Sequence, residues 1–273
     1  MQPNRRKAIR IQANEFRERC KTGRYGIIDL FKDCEQLGYK VFRYPLGENA
    51  DLGFVMKRDN DIIIFTNTCS RLSREIFTLA HEIGHSILHM ENVVSFIDDV
   101  ASISWSSVDE KEEEANYFAS CLLMPDDEVN KFLDIEVVDF GDKGLNALDI
   151  ARIMSEFNVS FEMALNRLEN LGKINVNERA RLDNQRNISR VGNLLRCVAG
   201  NSHLNDVSKE IEIPYEYMGY VIYNYNHNAI PVETLEKTLR YYNLTMDDVS
   251  DQIITKDEEI DEDLDTLIGG EEA

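Results

Sequence analysis

The sequence has little basic charge, and its cysteines show no pairing pattern. Lys and Arg number 30 against 50 Asp and Glu, a formal net charge of −20 over 273 residues. A nucleic-acid-binding surface needs cations to neutralise phosphates, so direct nucleic-acid binding is not expected; a basic protein is a better-matched partner. The five cysteines (Cys20, Cys34, Cys69, Cys121 and Cys197) are odd in number and form no CxxC pair. That pattern gives no structural zinc knuckle and suits reduced thiols in the cytoplasm. No apolar run approaches the roughly eighteen residues a membrane-spanning helix requires. The basic residues of the first ten positions are not followed by an apolar segment, so no secretory signal is expected. What is plentiful is core material: 43 % of the residues are hydrophobic, enough for one large domain or two modest ones.

Apolar spacing predicts an α+β fold, mostly helical, with a small antiparallel sheet of about three strands. Ile9 to Cys20 and Ile27 to Leu37 read as helices, the second stopped at Gly38. Lys40–Tyr44, Gly53–Met56 and Ile62–Phe65 are short and rich in β-branched or aromatic residues, and the polar run Arg58 to Asp61 reads as a hairpin turn. Helical spacing returns from Ser70 to about Met90 and from Val108 to Leu123, where Pro125 ends it. Residues 145–172 read as helix, turn, helix. The expected division is a first domain over 1–173, a helical C-terminal region over 174–255 and a disordered tail over 256–273. That tail holds nine acids and one lysine, −8 of the −20.

Inside the predicted 70–90 helix lies His81-Glu82-Ile83-Gly84-His85, an HExxH pentad. Ile76, Leu79, Ile83 and Ile87 form one apolar stripe, and His81 and His85 lie roughly opposite it, about 40° and one turn apart. Two imidazoles so placed can bind one Zn²⁺ through ring nitrogens, with Glu82 beside the same pocket. Gly84 costs a helix about 1 kcal/mol relative to alanine, so a backbone or a substrate is expected to approach closely there.

A hydrolytic zinc site takes a third protein ligand and leaves a position for water. The next helix supplies Glu110, Glu112, Glu113 and Glu114 ahead of the apolar face Ala115, Phe118, Ala119 and Leu122. Glu113 lies about 170° from that face and is excluded; Glu112, at about 70°, is only narrowly preferred over Glu114, at about 90°. Asn116, one turn after Glu112, could orient one of the histidines and favours Glu112. His89 continues the histidine row but has drifted about 80° from His81, which suits a supporting role rather than ligation.

HEIGHSILH, an acidic run and ANYFASCLLMP together resemble the ImmA/IrrE family of metallo-endopeptidases, and NVSFEMALNRLENLGKI extends the resemblance to about residues 5–173. It implies a gluzincin-like architecture with His81, His85 and Glu112 as zinc ligands. It also implies Glu82 as the catalytic base, and a protein substrate such as the helix-turn-helix repressor of a phage, mobile element or stress response. Tyr117 is a candidate oxyanion donor. The alternative is a non-proteolytic, metal-stabilised regulator that sequesters a repressor or another basic protein.

Three further signals have simpler readings. The second helix of 145–172 carries Arg167 as its only cation, too few for a recognition helix, so packing on the metal domain is expected. Tyr215, Tyr217, Tyr220, Tyr223 and Tyr225 lack interleaved Lys or Arg and read as core and interface aromatics. Arg5, Arg6, Lys7 and Arg10 read as a solvated helix face.

Overall fold

In a computed structural model of the chain, residues 1–48, 50, 52–90, 108–137 and 144–254 are described. The predicted acidic tail over 256–273 lies outside them. The fold is α+β, with eleven α-helices and one three-stranded sheet among the described residues.

Helix α1 (Pro3–Arg17) opens with proline in its first turn, where the missing N–H costs nothing, and α2 (Leu30–Gln36) is capped by the Asp29 carboxylate accepting from the Lys32 N–H. Helical spacing at Ile27 and Ile28 is misleading. Ile27 sits in a bridge to Thr22, and Gly26 packs so tightly that a Cβ would stand 2.0 Å from the Glu156 carbonyl oxygen. A close backbone approach, rather than a helix, organises that segment.

The sheet consists of β1 (Lys40–Tyr44), β2 (Gly53–Arg58) and β3 (Asp61–Asn67) in the order β1-β3-β2. β2 and β3 form the expected antiparallel hairpin, with Asp59 in the left-handed conformation that aspartate tolerates. The sheet as a whole is mixed rather than antiparallel. The link after β1 carries the chain past the central position, so the hairpin places β3 in the middle, parallel to β1. Val41, Ile64 and Val55 align across the strands and are buried, whereas Phe42, Phe65 and Phe54 stack on the opposite face with centroids 4.6 and 4.5 Å apart. Period-two alternation thus gives the sheet one face for the core.

Helix α3 (Leu72–Leu88) packs against this sheet and against α4 (Val108–Leu123). Leu79 and Ile83 of α3 and Phe118 and Leu122 of α4 are fully buried, each stabilising the unit by about 1.5–3 kcal/mol. Gly84 permits the close approach that the sequence required. A Cβ there would lie 3.1 Å from Phe118 Cδ1 and 3.2 Å from Ala115 Cα, so the approaching backbone is that of α4. The end of α4 is held by two buried arginines: Arg17 donates to the Leu122 carbonyl at 3.0 Å and Arg167 to that of Met124 at 2.9 Å.

Helix α5 (Asp126–Glu136) precedes α6 (Ala147–Phe157) and α7 (Phe161–Asn170), the predicted helix-turn-helix. Asn146 and Asp149 form a capping box, Asn158 makes the left-handed turn, and the Ser160 hydroxyl accepts from Met163 N–H. Arg167 is only 2 % exposed and also pairs with Asp126, so the sole cation of α7 serves packing. Helices α8 (Val176–Ser189) and α9 (Val191–Cys197) follow; Leu182, Leu194, Leu195 and Leu204 join the same core. The first compact unit therefore runs past residue 173 to Ile213.

A buried polar hub secures that extension. Arg43 of β1 holds Glu75 of α3 through two hydrogen bonds of 2.8 and 3.0 Å, and Glu75 also accepts from the Thr66 and Ser208 hydroxyls. The second compact unit, from Pro214 on, contains α10 (Tyr215–Asn226) and α11 (Val232–Tyr241) around Met218, Val221, Ile222, Leu235 and Leu239. Tyr215, Tyr217, Tyr220 and Tyr223 are exposed and are not core residues, because the aliphatic face of α10 supplies the core, whereas Tyr225 packs against it.

Candidate metal centre

Helix α3 presents His81 and His85 one turn apart, and α4 crosses close enough at Gly84 to bring Glu112 between them. The two histidine Nε2 atoms are 2.9 Å apart; Glu112 Oε2 is 3.1 Å from His81 Nε2 and Oε1 is 3.2 Å from His85 Nε2. Donors at about 2.0–2.1 Å from a tetrahedral ion would stand about 3.3 Å apart, so the three groups are already gathered at near-ligating separation. Among the described residues this is the one group of three or more His, Cys, Asp or Glu side chains able to hold a metal ion.

Each imidazole is fixed through its other nitrogen. His81 Nδ1 lies 3.0 Å from Asn116 Oδ1, an acceptor for its N–H that would leave the Nε2 lone pair to a metal. His85 Nδ1 lies 2.9 Å from His89 Nδ1, and His89 Nε2 lies 3.1 Å from Glu114 Oε2. With His85 Nε2 reserved for a metal, its Nδ1–H donates to His89, whose Nε2–H donates to Glu114. Arg5 closes the chain with two hydrogen bonds to the Glu114 carboxylate.

The charges of the site follow from these contacts. Burial opposes the charged form of His81, but the contact with Glu112, helped by the nearby Glu82 charge, outweighs it and holds the pKa above its ordinary value. The imidazoles of His81 and His85 hold Glu112 far below the ordinary carboxylate range. Arg5 chiefly, with His89, brings Glu114 down to about 2, while burial chiefly lowers His89 and favours the neutral ring that the relay requires. Glu82 behaves oppositely: burial pushes its carboxyl up against the pull of the two histidines. A divalent cation bound here would replace the protons that Glu112 otherwise shares with the imidazoles.

The structure brings together His81, His85 and Glu112, with Asn116 and His89 behind them. Glu114, the runner-up ligand, faces His89 instead, because it flanks the buried stripe of α4 on the side nearer α1. Arg5, read from sequence as solvated, is recruited to it, and Arg10 pairs with Asp126 at 3.0 Å. No local signal could have found the Arg5–Glu114 pair, whose members are 109 residues apart. Tyr117 carries Arg6 over its ring at 5.5 Å, and none of its polar or aromatic contacts is with His81, Glu82, His85 or Glu112.

A helix bearing HExxH, with a carboxylate from the following helix closing the donor set, defines a metallopeptidase-type site on an α+β scaffold. Residues 34–169 match the peptidase family M78, described as the IrrE N-terminal-like domain, and the chain belongs to that family. No curated protein matches the chain. The family match ends within α7, so it says nothing of the second compact unit.

Proposed function

We propose that the protein is a zinc endopeptidase that hydrolyses a peptide bond in a cytoplasmic protein substrate, with a helix-turn-helix repressor as the leading class. The observation that carries the reading is the convergence of His81 Nε2, His85 Nε2 and the Glu112 carboxylate, with the other ring nitrogen of each histidine within hydrogen-bond distance of Asn116 or His89. Two imidazole nitrogens and one carboxylate fit zinc, and Glu112 remains 45 % exposed, so the site is open to a substrate. When bound, zinc lowers the pKa of a water toward neutrality and polarises the scissile carbonyl. Glu82, buried and with its pKa raised, accepts the proton of the attacking water and returns it to the departing amine as the C–N bond breaks.

Strand β2 is suited to present the substrate. It is an edge of the sheet, and Gly53 at its start lies so near α3 that a Cβ there would be 3.6 Å from Glu82 Oε1. An edge strand with unpaired backbone groups accepts an extended segment by strand addition. The repressor class rests on the family resemblance and on the chain's acidity, which attracts a basic DNA-binding protein. The cytoplasm is supported by five free cysteines. Among the described residues, no helix is long and apolar enough to cross a membrane.

The test is incubation of zinc-loaded protein with a helix-turn-helix repressor encoded beside its gene, followed by mass spectrometry. New N-termini with the wild type and none with Glu82→Gln are expected. A stoichiometric complex with no fragments, equally formed by Glu82→Gln, would instead show a sequestering regulator.

A further inference from the structure

The chain is strongly acidic, yet the cavity that adjoins the candidate metal centre is not. A trough of about 1160 Å³ opens beside Phe77 and Asn116, the residues in contact with His81, and runs along the N-terminal half of α3 toward α7. Five arginines line it against two glutamates, Glu113 and Glu162. Arg167 is committed to Asp126 and Arg186 to Asp183, and Glu113 is held by the N-terminal amine. Arg6, Arg71 and Arg74 are exposed and have no carboxylate partner among the described residues. Arg6 lies over the Tyr117 ring at 5.5 Å, and three guanidinium groups without a carboxylate partner among the described residues, in one trough of a chain with net charge −20, run against its composition.

We infer that Arg71 and Arg74, with Arg6 also lining the trough, select acidic side chains flanking the scissile bond of the substrate. This deepens the peptidase reading and rests on it. Arg74 precedes His81 by seven residues, two turns along the same face of α3, so it stands about 10 Å from the metal ligand along the axis. Extended chain advances about 3.3 Å per residue, which places the favoured carboxylate about three residues from the bond that is cut. Arg71, one turn further on, reaches the next acid along. The planar guanidinium forks pair with carboxylates in two-point fashion, giving direction as well as charge. The trough exceeds the size of an ordinary small-molecule pocket, as a peptide segment requires. A nucleic acid would bring a continuous row of phosphates against the whole acidic chain, whereas a peptide offers one or two carboxylates to the arginines alone. A basic repressor would therefore be cut in an acidic stretch away from its DNA-contacting face.

The experiment uses the full-length, zinc-loaded Glu82→Gln protein and fluorescence anisotropy with short Ala-rich fluorescent peptides carrying paired Asp or paired Lys. The Asp peptide should bind about tenfold more tightly, the scale of a hydrogen bond to a charged group, and added salt should erode the difference. Arg71→Glu with Arg74→Glu should reverse the order, and the milder Arg71→Gln with Arg74→Gln should abolish it, with zinc content reporting an intact fold. Equal or tighter binding of the Lys peptide, discrimination that survives both double substitutions, or displacement of the Asp peptide by an oligonucleotide at lower concentration would overturn the inference. Digestion of the same peptides by the wild type separates the two readings. Selective binding without cleavage counts against the peptidase and leaves the acidic preference standing.

Discussion

Replacing His89 by alanine should weaken zinc binding without removing a ligand. The Nδ1–H of His85 would lose its acceptor at 2.9 Å, and Glu114 would lose its contact with the metal-bearing helix at 3.1 Å. His85 would then be free to rotate or to adopt the tautomer that turns an N–H toward the metal. Loss of such a supporting group costs about 10–100-fold in metal affinity, or about 1.4–2.7 kcal/mol. Glu114→Gln keeps an oxygen for His89 but loses the charge and the Arg5 pair, so it should fall near the lower end. Because the links act in series, His89→Ala combined with Glu114→Ala should be no worse than His89→Ala alone. Zinc competition against a chromogenic chelator at fixed pH measures each affinity, with metal-free thermal unfolding as the control for folding. The reasoning fails if His89→Ala binds zinc like the wild type, or if the two losses add.

Three other outcomes test the scaffold. Glu75→Ala removes the buried partner of Arg43, which keeps Glu210 at 2.6 Å and Glu212 at 3.1 Å, and should cost about 1.5–3 kcal/mol in denaturant unfolding; a loss below about 1 kcal/mol would show that the Glu75 contact is dispensable. Gly84→Ala gains about 1 kcal/mol of helix propensity but forces α4, and Glu112 with it, back by a few tenths of an ångström. Zinc affinity should therefore drop by more than metal-free stability, and unchanged affinity would contradict the close-approach argument. Burial, chiefly, pushes the Cys20 thiol up to about 11. The protonated form is the one favoured by folding, so iodoacetamide labelling of Cys20 should stay slow near neutrality and accelerate as pH rises toward that value. The exposed Cys197 should label first; prompt labelling of Cys20 at neutral pH would refute its placement.

The metal-bearing helix was legible because one periodicity serves two purposes: Leu79 and Ile83 mark its buried side, and the histidines fall opposite. Gly84 announced a close approach, though only the structure shows that α4 makes it. Glu112 and Glu114 were nearly equivalent in sequence because they flank one buried stripe at similar angles, and what separates them is the position of neighbouring helices. The Arg5–Glu114–His89 relay joins three helices, and contacts so distant in sequence leave no local trace. The mixed sheet was hidden for a related reason: hairpin spacing fixes the pairing of β2 with β3 but not the edge to which β1 adds. In α10, aromatic residues at helical spacing read partly as core, yet Met218, Val221 and Ile222 hold that place, Tyr225 packs beside them, and the other four tyrosines are exposed.

The central claim is that Glu82 does chemistry at a metal held by His81, His85 and Glu112. It is tested most directly by digesting a proteome-derived peptide library with zinc-loaded wild type and with Glu82→Gln, reading new N-termini by mass spectrometry and zinc content on the same samples. The account predicts about one zinc per chain in both proteins, and new N-termini from the wild type alone. Equal cleavage by zinc-replete Glu82→Gln, or cleavage by wild type stripped of metal, would contradict it.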